Sequence, residues 1–206
     1  HRLLNIAGFT AVAHGASDRS NMSPDGRYVV FDSTAKDVAN GQQNLGTDSY
    51  LLDRVTGQMS FVGVRANGLT FAAGTNSPDV SDNGNTIAFH AVANGDVFSI
   101  QQVWAHDRTT GLTELVSGTT SNVVSSLPAS EARISGNGRF VVFTSGASNL
   151  IAGDTNSRID VFVRDLQTNT TERVNLTSAG GEPTGALPQF TTRIDGTIAY
   201  AENPPK

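Results

Sequence analysis

The sequence predicts an all-β chain: a β-propeller of four-stranded antiparallel blades, with about four repeats of about 56 residues. Three observations predict it. A turn dipeptide followed by an apolar run occurs four times, with its glycines at Gly26, Gly84, Gly138 and Gly196, in steps of 58, 54 and 58 residues. A second segment ending in aspartate follows at nearly the same step, at Asp53, Asp107 and Asp165. No segment carries a helical period, whereas the short runs and frequent turn residues suit strands.

Each repeat reads as strands A to D. Strand A leads into Asp25-Gly26, Asn83-Gly84, Asn137-Gly138 or Asp195-Gly196. These dipeptides predict a type I′ hairpin turn with positive φ at both central residues. Strand B is Tyr28–Phe31, Thr86–Phe89, Phe140–Phe143 or Thr197–Tyr200. Its unbroken apolar run implies that both faces are covered. Strand C carries one aromatic each time, Tyr50, Trp104 or Phe162, and ends in the aspartate. A short carboxylate there accepts backbone N–H groups of the turn that follows. That turn ends in Gly57, Gly111 or Asn169, and asparagine is the residue after glycine that best tolerates left-handed φ. Strand D closes the unit.

The repeats cover approximately residues 16–64, 72–117, 129–176 and 186–201, the last joined by residues 1–8. Leu3–Ile6 matches a D strand, and the chain stops after a B strand. The expectation is a single domain over residues 1–206, closed by pairing the two ends, or part of a larger ring. A protein partner or a second copy, a local rearrangement, or a segment lost in processing is expected to supply what is missing, because bare strand edges invite aggregation. The chain begins with His1 rather than Met and reads as a processed or excised segment.

The motif Ser23-Pro24-Asp25-Gly26-Arg27-Tyr28-Val29-Val30-Phe31, followed by an aromatic strand ending Asp53-Arg54, resembles the WD40-like PD40 repeat of TolB-type bacterial propellers. The variant Asn149-Leu150-Ile151-Ala152-Gly153-Asp154-Thr155-Asn156 before Asp160-Val161-Phe162-Val163-Arg164-Asp165 resembles repeats of secreted or envelope bacterial proteins. The resemblance covers nearly the whole chain and implies a secreted or envelope protein, extracellular or periplasmic. It implies little about activity, because such propellers serve as binding platforms, enzyme lids and enzymes.

Chemistry has few places to sit. There is no cysteine, which removes disulfides, thiolate nucleophiles and thiolate metal ligands. There is no Gly-x-Ser-x-Gly, phosphate loop or His-Glu-x-x-His. A net charge of −5 with scattered basic residues does not suit nucleic acid. No run approaches the ~20 apolar residues of a membrane span. His90 follows strand B and His106 precedes the last residue of strand C in the second unit, where the other units hold Asp32, Thr144, Leu52 and Arg164; both are expected to be structural or on the surface.

The loop before strand C of the third unit is the metal candidate. Asp154, Asn156 and Asp160 offer oxygens at relative positions one, three and seven, a pattern open to calcium. Asn44 and Asp48 repeat two of the three. No further acid stands at position five, and the competing reading is a polar turn held by Asx bonds.

The functional expectation is a non-catalytic protein-binding or scaffolding propeller. Its rivals are a hydrolase or lyase with a site at one mouth, and a carbohydrate-binding propeller. A binder shows inward residues that differ from blade to blade; an enzyme gathers acids and bases there.

Overall fold

The computed structural model describes residues 15–35, 37–39, 46–65, 68, 70–71, 73–92, 100–182, 189–192 and 198–201. These form three four-stranded antiparallel sheets and one strand pair. The first sheet holds β1 (Ser17–Met22), β2 (Tyr28–Ser33), β3 (Asp48–Asp53) and β4 (Gln58–Phe61). The second holds β5 (Thr75–Val80), β6 (Thr86–Val92), β7 (Gln101–Asp107) and β8 (Leu112–Leu115). The third holds β9 (Ala129–Ile134), β10 (Phe140–Ser145), β11 (Asp160–Asp165) and β12 (Thr170–Arg173). The pair is β13 (Gln189–Thr192) and β14 (Ile198–Ala201). Within each sheet the strands follow chain order, as predicted for strands A to D.

The turn after strand A differs from the prediction. Gly26, Gly84 and Gly138 have φ of 72°, 70° and 74°, while Asp25, Asn83 and Asn137 do not enter positive φ. Gly26 N–H donates to Ser23 O at 2.8 Å, and Ser23 N–H donates to Tyr28 O at 2.9 Å. That is a type I turn followed by a left-handed glycine, within a four-residue loop over 24–27, rather than the two-residue type I′ turn. Chemistry explains the choice. Pro24 fixes φ near −65°, which suits the first central position of a type I turn. Asp25, Asn83 and Asn137 each receive the preceding serine hydroxyl and the N–H two residues on.

The second turn agrees with the sequence. Asp53, Asp107 and Asp165 each accept two backbone N–H groups through Oδ1. Gly57, Gly111 and Asn169 take φ of 72°, 73° and 59°. Two aspartates carry a further partner: Arg27 grips Asp53, and Arg139 grips Asp165, through Nε and Nη2. The guanidinium holds each carboxyl well below the usual carboxylate range.

The core lies between sheets. Ile87, Phe89 and Ala91 meet Val30, Leu51 and Phe71 of the first unit. Val141, Phe143 and Phe162 meet Ala88, Val103 and Ala105 of the second. Phe89 and Phe143 are fully buried, as expected. Phe31 is not; it is half-buried. It occupies the same position in the first sheet, on the face turned away from the second, where no sheet among the described residues covers it. Cross-strand pairs Phe31–Tyr50 and Phe143–Phe162 stack at 5.8 and 5.6 Å, so the strand C aromatics serve packing. Leu3–Ile6, Asn44, His1, His14 and the side chain of Tyr200 lie outside the described residues, as does the expected pairing of the two ends.

Candidate functional site

The first strands β1, β5 and β9 share a feature that no motif announced. Each carries a β-bulge in which two residues face one phenylalanine. The register passes from Asp18↔Asp32 to Asn21↔Val30, from Asn76↔His90 to Asp79↔Ala88, and from Ser130↔Thr144 to Arg133↔Val142. The bulge residues are Arg19-Ser20, Ser77-Pro78 and Glu131-Ala132, opposite Phe31, Phe89 and Phe143. The first of each pair is left-handed, with φ of 46°, 54° and 55° at Arg19, Ser77 and Glu131. Non-glycine residues there cost on the order of 1–2 kcal/mol and concentrate where a ligand is held. A bulge also re-aims a side chain out of the pleat.

All three left-handed residues line one cavity of about 650 Å³, open on one side. Asn76, Gln101 and Arg133 add amide and guanidinium groups, and His90 closes the wall. Arg19 donates to Ser77 Oγ at 2.9 Å and to Asn76 Oδ1 at 3.4 Å, across the first two sheets.

Groups behind this wall are titratable but occupied. Asp32 is fully buried; its Oδ2 accepts Ser77 N–H at 2.7 Å and its Oδ1 accepts the Ser49 hydroxyl at 2.7 Å. Burial pushes it up to about 6, against those two bonds. His90 Nε2 accepts Ala132 N–H at 3.4 Å, and burial, with Arg133 and Arg19 nearby, pushes it down to about 4. Asp79 Oδ2 accepts Ile134 N–H at 2.9 Å and is raised by burial. Each acceptor thus ties one sheet to the next. His106 is structural too: Nδ1 pairs with Thr113 Oγ1 at 2.9 Å.

The expected metal residues do come together, around a guanidinium. Arg173 Nη1 lies 3.4 Å from Asp154 Oδ1, 3.4 Å from Asp160 Oδ2 and 2.6 Å from Glu182 Oε1. Asn156 uses Oδ1 to accept Arg158 N–H at 2.8 Å, an Asx turn, and directs Nδ2 at Asp160. Asn175 Nδ2 donates to Asp160 Oδ1 at 2.6 Å. Burial and the neighbouring Asp160 raise Asp154, whose Oδ2 is buried without a hydrogen-bond partner. Among the described residues, no three acidic or histidine side chains are grouped so as to hold a metal ion. Glu182, lowered to about 2 by Arg173 and Thr155, is a member of this cluster that sequence spacing did not indicate. At the position equivalent to Asp160 the second sheet has Gln102, which accepts the hydroxyls of Ser117 and Ser125.

No protein-family model matches this chain, and no curated protein matches it. Solved structures do. TolB from Acinetobacter baumannii matches over 92% of this chain and 38% of its own, at 19% identity and a TM-score of 0.54. The fold is a TolB-like β-propeller. The β-propeller domain of the trilobed protease from Pyrococcus furiosus, which has an open velcro topology, matches 78% of the propeller and 42% of its own chain. Its identity is 11% and its TM-score 0.52. Acylaminoacyl peptidase from Pyrococcus horikoshii matches 78% of the propeller and 24% of its own chain, at 12% identity and a TM-score of 0.46. The propeller spans about two fifths of the length of the first two structures. The first strands β1, β5 and β9 pack in turn and line the cavity, which is the place that the central channel takes in a propeller.

Proposed function

We propose that this propeller is a non-catalytic protein-binding module, secreted or at the bacterial envelope, and that it recognises its partner through the channel wall displayed by Arg19, Ser77 and Glu131. One observation carries the reading: three blades present structurally equivalent, strained residues to one cavity, and the three side chains differ in charge and size. Repetition of the backbone with variation of the side chain builds a recognition surface. A reaction centre would need an acid and a base free to act together; Glu131 is free among the described residues, but Asp32, Asp79 and His90 are each engaged by a backbone N–H of the next blade. A carbohydrate platform would need exposed rings, and the described residues lining the cavity include no phenylalanine, tyrosine or tryptophan. Amide, guanidinium and carboxylate groups suit an extended peptide of the partner, a second copy included.

The test is selection of a phage-displayed random dodecapeptide library on the purified chain, followed by fluorescence polarisation. Arg19→Ala with Glu131→Ala is expected to weaken the selected peptide at least tenfold while the melting temperature is unchanged. Unchanged affinity would remove the channel wall as the binding surface.

Calcium binding at Asp154, Asn156 and Asp160 is the second reading. Asp154 Oδ2 favours it, being buried without a partner where three carboxylates face one guanidinium. A bound ion would take the place of Arg173 between Asp154 and Asp160. Calcium at about 1 mM then raises the melting temperature, as binding to the native state must, and Asp154→Ala abolishes the rise. No shift in the parent chain leaves the Asx turn and Arg173 as the whole account of the loop.

A further inference from the structure

Asp32 and His90 occupy equivalent places on strand B of successive blades, 58 residues apart. Neither lies on a bulge, yet each reaches across the blade interface to one. The Asp32 carboxylate holds the N–H of Ser77, the left-handed residue itself. His90 Nε2 holds the N–H of Ala132, the second residue of the Glu131 bulge. Asp79 secures the far side of that bulge through Ile134 N–H. In a bulge one residue leaves the ladder, so its N–H needs a partner from elsewhere when it is turned from water. The preceding blade supplies that partner in both cases. Asn76 and Val103 flank His90 on the paired strands, and the charged groups facing it are Arg19 of β1 and Arg133 of β9.

We propose that Asp32 and His90 are positioning residues of the recognition surface: each pins the bulge of the next blade and thereby fixes where Ser77 and Glu131 stand in the cavity. The inference rests on the channel-wall reading for its functional meaning, and its geometry is independent of it. The shape of the surface is then set across blade interfaces. A change on strand B of one blade alters the residue displayed by its neighbour, without touching the ligand.

Hydrogen exchange of single amides tests it. Asp32→Ala should lower the protection of Ser77 N–H at least tenfold, and Asp32→Asn, which keeps a carbonyl acceptor, should restore it. His90→Leu should do the same to Ala132 N–H, with His90→Gln as the restoring variant. Ala88 and Val142 amides, in the ladders beside the bulges, should keep their protection. The parent chain gives a second measurement that needs no substitution: between pH 7 and pH 3.5, protonation of Nε2 turns it from acceptor to donor. Protection of Ala132 should then fall ahead of Val142. Unchanged protection in the Ala and Leu variants, or an equal loss at every amide, would overturn the proposal. The selected dodecapeptide separates the two readings. If exchange changes as expected and the peptide loses at least fivefold in affinity, both stand. If exchange changes and the affinity does not, the pins are real and the channel wall is not the binding surface.

Discussion

Replacing Glu131 by glycine should make the protein more stable and a poorer binder at once. Glu131 is exposed at φ 55°, and its side chain makes no hydrogen bond or ion pair among the described residues. Its replacement therefore removes strain and little else from the folded state. A left-handed non-glycine residue costs about 1–2 kcal/mol. Glycine gives back about 0.5–1 kcal/mol through the greater freedom of the unfolded chain. The net expectation is a gain of about 0.5–1 kcal/mol, or about 2–4 °C per kcal/mol in a chain of this size. Two controls isolate the cause. Glu172→Gly makes the same change at an exposed strand position outside the left-handed region, and should lose about 0.5–1 kcal/mol. Glu131→Ala keeps the strain and should be nearly neutral. Urea denaturation followed by circular dichroism measures all three. Should Glu131→Gly lose as much as Glu172→Gly, the bulge stores no strain, and the argument from strain to function fails with it.

The core gives a second expectation: Phe143→Ala should cost about 3–5 kcal/mol, and Phe31→Ala clearly less, because only Phe143 is enclosed by the preceding blade; denaturation midpoints that rank the two the other way would refute the blade packing. Acid stability gives a third. His90 is lowered to about 4 from an unfolded value near 6.5, so its contribution is complete above about 6.5 and is lost as pH falls toward 4. The unfolding free energy from urea denaturation, followed from pH 7 to pH 4, should decline more in the parent chain than in His90→Gln, by a difference on the order of 2–3 kcal/mol; parallel curves would show that His90 protonates in the fold without penalty.

Much of this fold could be read from residue type because its turns are chemically specific. Asp53, Asp107 and Asp165 recur because a short carboxylate is needed to gather two turn N–H groups, and Asn169 stands in for glycine because the turn demands positive φ. The hairpin after strand A departs from the prediction for a local reason: an Asp-Gly pair suits two turns, and Pro24 with the Ser23 hydroxyl decides between them. Loop spacing brings Asp154 and Asp160 together, but Arg173 and Glu182, which meet them, come from strand β12 and the segment beyond it, and spacing within one loop cannot reveal them. The bulges left one trace, Pro78, which has no N–H to give a ladder and so belongs at a break in it. Arg19, Ser77 and Glu131 follow the period of the turns, yet they share no chemistry. A comparison of repeats detects what every blade must keep, namely turn residues and core aromatics. Positions that keep a backbone shape while changing the side chain are invisible to it, and in a repeated fold those are the positions free to specify a partner.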